Sequence, residues 1–268
     1  MTVIVPYHCA DMIRNLIERF HQVGFHTAID GNAHYVFPPG ARTVTSLLTA
    51  MPERSPPTRH RHQTTGEEIA NSISHGLGFA LAVAGAPVLI VAALRRGTLT
   101  DLVAVSVFAG AMALMYLTST LYHALPVSRA KHVFHVLDHS AIYLLIAGSY
   151  TPFALGVLEG AWGWTLFGIV WGLAALGILL KAFAGIRWHA VSTAVYVGMG
   201  WLALVAAKPL WDALPAAGLA WLVGGGVAYT AGVWFYVRKD LRFGHLVWHL
   251  FVVAGTACHF VAVWRYAI

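Results

Sequence analysis

Long apolar segments alternate with short polar ones from Glu67 to the end of the 268-residue chain. A bilayer core of about 30 Å requires roughly 20 apolar residues per crossing helix. Seven segments are long enough for this, at approximately 73–94, 102–122, 139–158, 162–183, 191–207, 216–237 and 246–266. The pattern therefore predicts an all-α membrane protein with seven transmembrane helices, and the short connections make consecutive spans antiparallel neighbours.

The basic residues beside these spans predict the orientation, because cytoplasmic connections carry more Lys and Arg. One side receives Arg54, Arg59, Arg61, Arg129, Lys131, Lys181, Arg187, Arg238, Lys239 and Arg242. The other side receives Arg95, Arg96, Lys208 and Arg265. This bias predicts a cytoplasmic N-terminus and a C-terminus outside.

Residues 1–66 form a separate region that is rich in His and Pro and ends in a Pro-containing basic run at 54–62. Such a run favours neither a helix nor a span. We expect a disordered cytoplasmic extension at 1–66, or alternatively a membrane-surface or regulatory segment, followed by a seven-helix domain at 67–268.

Composition agrees with a membrane protein, since 58% of the residues are hydrophobic and 10% are charged, against about a quarter charged in soluble domains. The net charge of +6 does not indicate nucleic-acid binding, because the basic residues stand singly or in pairs between apolar runs. Cys9 lies in the extension and Cys258 in the last span, so a disulfide between them is not expected.

Placing a polar residue in a bilayer costs free energy, so polar residues at span ends are expected to have a hydrogen-bonding partner or a function. Ser119 and His123 lie four residues apart at the end of span 2, Asp138 lies at the start of span 3, and His245 and His249 lie four apart at the start of span 7. The predicted topology places all three sets at the cytoplasmic end, with Ser119 about one turn, or ~6 Å, deeper.

This set has the residue types of a catalytic zinc site. Two imidazoles four residues apart can meet one metal ion, and a third histidine from another helix leaves a fourth position for water. Zinc lowers the pKa of such a water to about 7, and a carboxylate beside it can orient the water or accept its proton.

Structural roles are the alternative for each residue. Asp138 can pair with a loop arginine, and Ser119 can bond to its own helix. The surface histidines His132 and His135, in a turn that Ser128 is expected to cap, can bind lipid headgroups, and His139 adjoins Asp138. For Asn71 and His75, with Glu67 and Glu68 before them, we expect supporting hydrogen bonds, with direct ligation as the alternative. Cys258 and His259 are expected to pack helices.

Several motifs resemble the hemolysin III branch of the progestin and adipoQ receptor (PAQR) family. They are the segments Ser119–His123, Leu137-Asp138-His-Ser, Ala147–Phe153, His245–His249 and Glu68–Gly76. The resemblance covers about 67–266, whereas the first 66 residues match nothing known in that family. It implies His123, His245 and His249 as Zn²⁺ ligands, with Asp138 and Ser119 beside the zinc-bound water.

The family is grouped with putative membrane hydrolases, so the resemblance implies a zinc-dependent hydrolase of a lipid amide or ester bond. Its expected location is the bacterial cytoplasmic (inner) membrane, with a membrane lipid as substrate or ligand. The alternatives are a non-catalytic, zinc-binding regulator or receptor-like protein and, with less support from the residues, a haemolytic pore-former. The sequence leaves substrate and oligomeric state open.

Overall fold

The computed structural model describes residues 26–30, 33–37, 61, 63–158, 160–184 and 189–268. Contacts divide the chain into two compact units, Met1–Arg59 and His60–Ile268. In the first unit, strands β1 (His26–Asp30) and β2 (Ala33–Phe37) form an antiparallel hairpin. This hairpin was not predicted from the sequence pattern. Of the remaining residues of the predicted extension, 61 and 63–66 are described and belong to the second unit. The others lie outside the described residues, so the predicted disorder stays a prediction.

The second unit is helical. Its helices are α1 (Thr65–Arg96), α2 (Leu99–Ala124), α3 (Arg129–Pro152), α4 (Gly160–Ala184), α5 (His189–Gly200), α6 (Ala207–Ala213), α7 (Ala216–Val237) and α8 (Gly244–Tyr266). A π-helical turn, Phe153–Val157, extends α3, and a 3₁₀ turn, Leu202–Ala206, joins α5 to α6. Counting α5 and α6 together, seven helical segments are long and apolar enough to cross a membrane. The predicted seven-span fold is confirmed.

Side-chain caps explain where three helices begin. Thr64 and Glu67 form a reciprocal capping box at α1, and Thr98 and Asp101 form another at α2. Such caps satisfy N–H groups that have no partner inside the helix. The Ser128 hydroxyl accepts from the N–H of Lys131 at 3.1 Å, which confirms the expected cap of α3.

The bundle packs closely on one side and loosely on the other. The closest neighbours are α1 with α2, α2 with α3, and α7 with α8, while α1 also packs against α8. Only sparse contacts join α5 to α3 and α7. Large apolar side chains such as Leu81, Leu94, Trp164 and Phe183 are exposed on the outside of the unit, as expected of surfaces that face lipid.

A buried carboxylate, Glu67, connects the start of α1 to the start of α8. It accepts the backbone N–H of Phe243 at 2.8 Å and a guanidinium N–H of Arg61 at 2.9 Å. Arg61 also donates to the carbonyl oxygen of Leu241 at 3.3 Å. Phe243 has a left-handed backbone with φ of 56°, a conformation that is uncommon for a residue other than glycine. We call these contacts the Glu67 clamp; they hold the turn from which α8 starts.

The Glu67 clamp predicts different effects for two truncations. Deleting residues 1–60 should leave folding and metal content intact, whereas deleting 1–62 removes Arg61 and should lower the unfolding free energy. Glu67→Gln should lower it as well, by about 1–3 kcal/mol, because hydrogen bonds to a charged group are lost. Thermal unfolding in detergent measures all three. Equal stability of the two truncations would show that Arg61 does not support the turn.

Candidate metal centre

Three histidines from two helices converge at one end of the bundle. His123 lies in the last turn of α2, and His245 and His249 lie in the first turns of α8. One nitrogen from each ring lies within 4.8 Å of the other two. The ring centroids of His245 and His249 are 4.6 Å apart, and each is 5.1 Å from that of His123. The structure thus brings together the three histidines expected as ligands.

The hydrogen bonds of His123 leave one nitrogen available to a metal ion. Its Nδ1 lies 2.6 Å from Oε2 of Glu68. Since a carboxylate in an ion pair only accepts, Nδ1 carries the hydrogen, and Nε2 of a neutral ring keeps its lone pair. Nε2 is buried and has no hydrogen-bond partner among the described residues.

His249 is oriented in the same way. Its Nδ1 lies 3.0 Å from Oγ of Ser74 and 3.3 Å from the carbonyl oxygen of Asn71. The Ser74 hydroxyl donates to that same carbonyl at 2.8 Å, so toward His249 its oxygen acts as an acceptor. Nδ1 therefore carries the hydrogen, and Nε2 is left as the ligand atom.

His75 and Asn71 lie beside the cluster, on α1. The His75 ring stacks on that of His249, with centroids 3.5 Å apart and planes 10° from parallel. Its Nδ1 is 2.7 Å from Oγ of Ser119. The Asn71 amide donates to Gln63 at 2.7 Å, while its backbone oxygen contacts His249. Both residues make hydrogen bonds beside the cluster, while Nε2 of His75 and Oδ1 of Asn71 have no hydrogen-bond partner among the described residues. Their role beside a metal ion stays a prediction.

Ser119 and Asp138 lie next to the three histidines. Ser119 is fully buried, and its hydroxyl bonds to His75 rather than to its own helix. The Asp138 carboxyl is buried, interacts with Ser119 and His123, and lies 3.5 Å from Nδ1 of His139. Asp138 thus adjoins the cluster, and among the described residues no arginine pairs with it.

The remaining histidines of α3 differ in exposure. His132 is exposed, whereas the His135 ring stacks on that of Tyr122 with centroids 4.6 Å apart. Nδ1 of His139 lies 3.0 Å from the carbonyl oxygen of His135, one turn earlier in the helix. Of these three, His139 comes closest to the cluster, through its contact with Asp138.

Lys131 of α3 contacts residues of α1 and of the end of α2 beside the histidine cluster. Its ammonium lies 3.2 Å from Oε1 of Glu68 and donates to the carbonyl oxygens of Tyr122 and Leu125 at 2.9 and 3.1 Å. It therefore neutralises the carboxylate that holds His123 and satisfies carbonyls at the end of α2. The sequence places Glu68 near Asn71 and His75 but does not reveal that it contacts His123, and nothing in it points to the contact of Ser74 with His249.

A cavity of about 300 Å³ opens from the cluster into the loosely packed side of the bundle. The wall at the cluster is polar and includes His75, Ser119, Asp138, His139, His245 and His249. Farther in, the wall is mainly apolar, with Leu145, Leu210, Trp211, Leu219, Leu222 and Val252 among its residues. Ligand sites commonly combine apolar walls with a few polar groups at one place.

The donor set fits a metal ion of the kind that imidazole prefers. Three neutral nitrogens within this spacing suit a tetrahedral ion with one position open. Zinc, copper, iron and nickel all accept imidazole. The site can therefore hold a metal ion and present it to whatever occupies the cavity.

Comparisons with known proteins show which proteins this chain resembles. Residues 63–260 match the family model described as "Haemolysin-III related". The chain is 45% identical to "Hemolysin-3 homolog" of Bacillus subtilis (strain 168), over 76% of this chain and 96% of the relative. It is also 45% identical to "Hemolysin-3" of Bacillus cereus, over 77% and 94%. Identity to human "Monocyte to macrophage differentiation factor" is 26%, over 81% and 91%.

The contact between Glu68 and His123 predicts a loss of metal affinity in Glu68→Gln. The amide is a weaker acceptor for Nδ1–H, so the ring is held less firmly, and affinity should fall by about 10- to 100-fold. Competition with a chromogenic chelator measures this in the purified protein. Asp212→Asn is the control, because Asp212 pairs with Lys208 on the exposed surface. Unchanged affinity in Glu68→Gln would mean that the carboxylate does not orient His123.

Proposed function

The chain belongs to the haemolysin-III-related family, and on that premise we propose that it is a zinc-dependent integral membrane hydrolase of a lipid amide or ester bond. The observation that carries this proposal is the cluster of His123, His245 and His249 at the polar end of an apolar cavity. A carboxyl and a hydroxyl, from Asp138 and Ser119, line the same end.

The three histidines would hold Zn²⁺ through one nitrogen each. When bound, the ion supplies a Lewis acid and an acidified water. Asp138 would orient a water molecule beside the lipid carbonyl and accept its proton, and it would return that proton to the amine or alcohol that leaves when the amide or ester bond breaks. The buried position of Asp138 beside Ser119 and His123 supports this role.

Ser119 is suited to stabilise the negative charge that develops on the carbonyl oxygen. When His75 donates through Nδ1, Oγ of Ser119 accepts at 2.7 Å and the hydroxyl proton is free to point elsewhere. It can then bond to Asp138 in the resting state and to the oxyanion during reaction. A donor placed in advance lowers the barrier because it does not reorganise during the step.

The dimensions and lining of the cavity support a lipid as the substrate. Apolar side chains of α3, α6, α7 and α8 form most of its inner wall, which suits an acyl chain with its carbonyl at the cluster. The same cavity would serve a non-catalytic, receptor-like protein that binds lipid. Turnover is what separates that alternative from the hydrolase.

Four substitutions test the site. His123→Ala, His245→Ala and His249→Ala should each remove most of the zinc, because two nitrogens hold the ion poorly. Asp138→Asn should keep the metal and lower hydrolysis by about 100-fold or more, as expected for loss of a general base. His132→Ala is the control, since that ring is exposed. Zinc per protein and release of fatty acid from a lipid extract are measured on each variant.

Four results would contradict parts of the proposal. Full zinc in His123→Ala would remove α2 from the site and make His139 the next candidate. Full activity in Asp138→Asn would exclude the carboxyl as the base. Zinc binding without turnover of any lipid would favour the receptor-like alternative, and lysis of erythrocytes above a detergent control would favour the pore-former.

We also propose that the protein lies in the bacterial inner membrane with its N-terminus in the cytoplasm, on the basis of the ten-to-four bias in basic residues. Thr100 and Asp240 are exposed at the start of α2 and after α7. With Cys9 and Cys258 replaced by Ser, an impermeant maleimide should label Thr100→Cys in intact cells. Asp240→Cys should react only after lysis. The reverse pattern would invert the topology and place the cluster outside.

A further inference from the structure

The side chain of His259 lines the cavity away from the histidine cluster. It follows His249 by ten residues on α8, which is about 15 Å along a helix axis. Polar groups at such depth need partners, since hydrocarbon provides none. His259 packs against α7, as the sequence suggested, but packing does not account for both of its nitrogens.

The hydrogen bonds of His259 fix its tautomer. Nε2 lies 3.2 Å from the carbonyl oxygen of Leu222. Because a carbonyl only accepts, Nε2 carries the hydrogen, and Nδ1 of the neutral ring is an acceptor. Nδ1 is buried and has no hydrogen-bond partner among the residues that the structure describes.

The absence of a side chain at Gly225 permits this arrangement. A Cβ there would lie 2.2 Å from Cδ2 of His259 and 2.4 Å from Nε2, so the ring could not reach the carbonyl one turn earlier on α7. The neighbouring phenol of Tyr229 is already bonded to Oγ of Thr256 at 2.8 Å. The ring is therefore held with its acceptor nitrogen unsatisfied.

We propose that the lipid in this cavity carries a hydroxyl group on its chain that donates a hydrogen bond to Nδ1 of His259. This inference rests on the proposed function, because it places the reacting carbonyl at the histidine cluster. The separation along α8 then puts the hydroxyl near the middle of an acyl chain rather than in the headgroup. A plain alkyl chain leaves the buried acceptor unpaired, which is unfavourable.

Binding of three fatty acids to the purified full-length protein tests the inference. The probes are octadecanoic, 2-hydroxyoctadecanoic and 12-hydroxyoctadecanoic acids, each used to displace a fluorescent fatty acid. The wild type should bind the 12-hydroxy acid about fivefold more tightly than the other two, the gain expected from one satisfied buried acceptor.

Substitutions at His259 assign that preference to the ring. His259→Phe keeps an aromatic ring without an acceptor and should bind all three acids equally. His259→Gln retains both an acceptor and a donor and should keep part of the preference. Thr230→Val is the control, since Thr230 also lines the cavity but its hydroxyl donates to the Gly226 carbonyl at 2.8 Å; it should preserve the preference.

A wild type that binds the 12-hydroxy and unsubstituted acids equally would overturn the inference, as would a preference that survives in His259→Phe. An equal gain for the 2-hydroxy acid would place the recognised hydroxyl near the cluster and overturn it as well. The hydrolase proposal fails separately: a chain-hydroxyl preference without turnover supports the inference alone, and turnover without the preference supports the hydrolase alone.

Discussion

The orientation of the histidine cluster, His123, His245 and His249, depends on hydrogen-bond acceptors that α1 presents to two of the three imidazoles. A neutral imidazole has one donor and one acceptor nitrogen, so a partner at Nδ1 decides whether Nε2 can bind a metal. The Glu68 carboxylate takes the donor of His123, while Ser74 and the Asn71 carbonyl take that of His249. Among the described residues, the cluster itself comes from α2 and α8, yet the orientation of two of its rings is set by a third helix.

Contacts of this kind also neutralise the carboxylates of Glu67 and Glu68 near a bilayer. A carboxylate in a poorly hydrated position needs compensating charge and hydrogen bonds. Glu68 has His123 on one oxygen and Lys131 on the other, and Glu67 has Arg61 together with two backbone N–H groups. Both acids therefore join helices to one another as they are neutralised. The residues that orient the histidine cluster and those that join the helices are therefore neighbours at this end of the bundle.

Apolar runs and charge-bearing connections were sufficient to predict the seven spans, because span length is imposed by the bilayer. The convergence of His123 with His245 and His249 followed from the common end of their spans and from the family resemblance. The side-chain partners could not be predicted in this way. Glu68 contacts His123, whereas its neighbour Glu67 contacts Phe243. These contacts depend on the rotation of the helix and on side-chain rotamers, which a pair of acidic residues in the sequence does not specify.

The sequence also did not predict the cavity or the interruption of the fifth span. The 3₁₀ turn at Leu202–Ala206 is as apolar as the helices around it, so the hydropathy of the sequence does not reveal the interruption. The cavity arises where α5 makes few contacts with α3 and α7, and such sparse packing is a property of the assembled bundle. The hairpin of β1 and β2 was missed because the composition of the extension outweighed two short alternating runs.

The order of helices along the chain has a consequence for biogenesis. Because α8 follows the other six spans and brings two of the three histidines, a nascent chain with only those six spans inserted has only His123 at the future cluster. The residues of α1 that orient the imidazoles are synthesised before the rings that they contact. Metal capture would then report that α8 has been inserted, and a chain stalled before α8 would lack the histidine cluster.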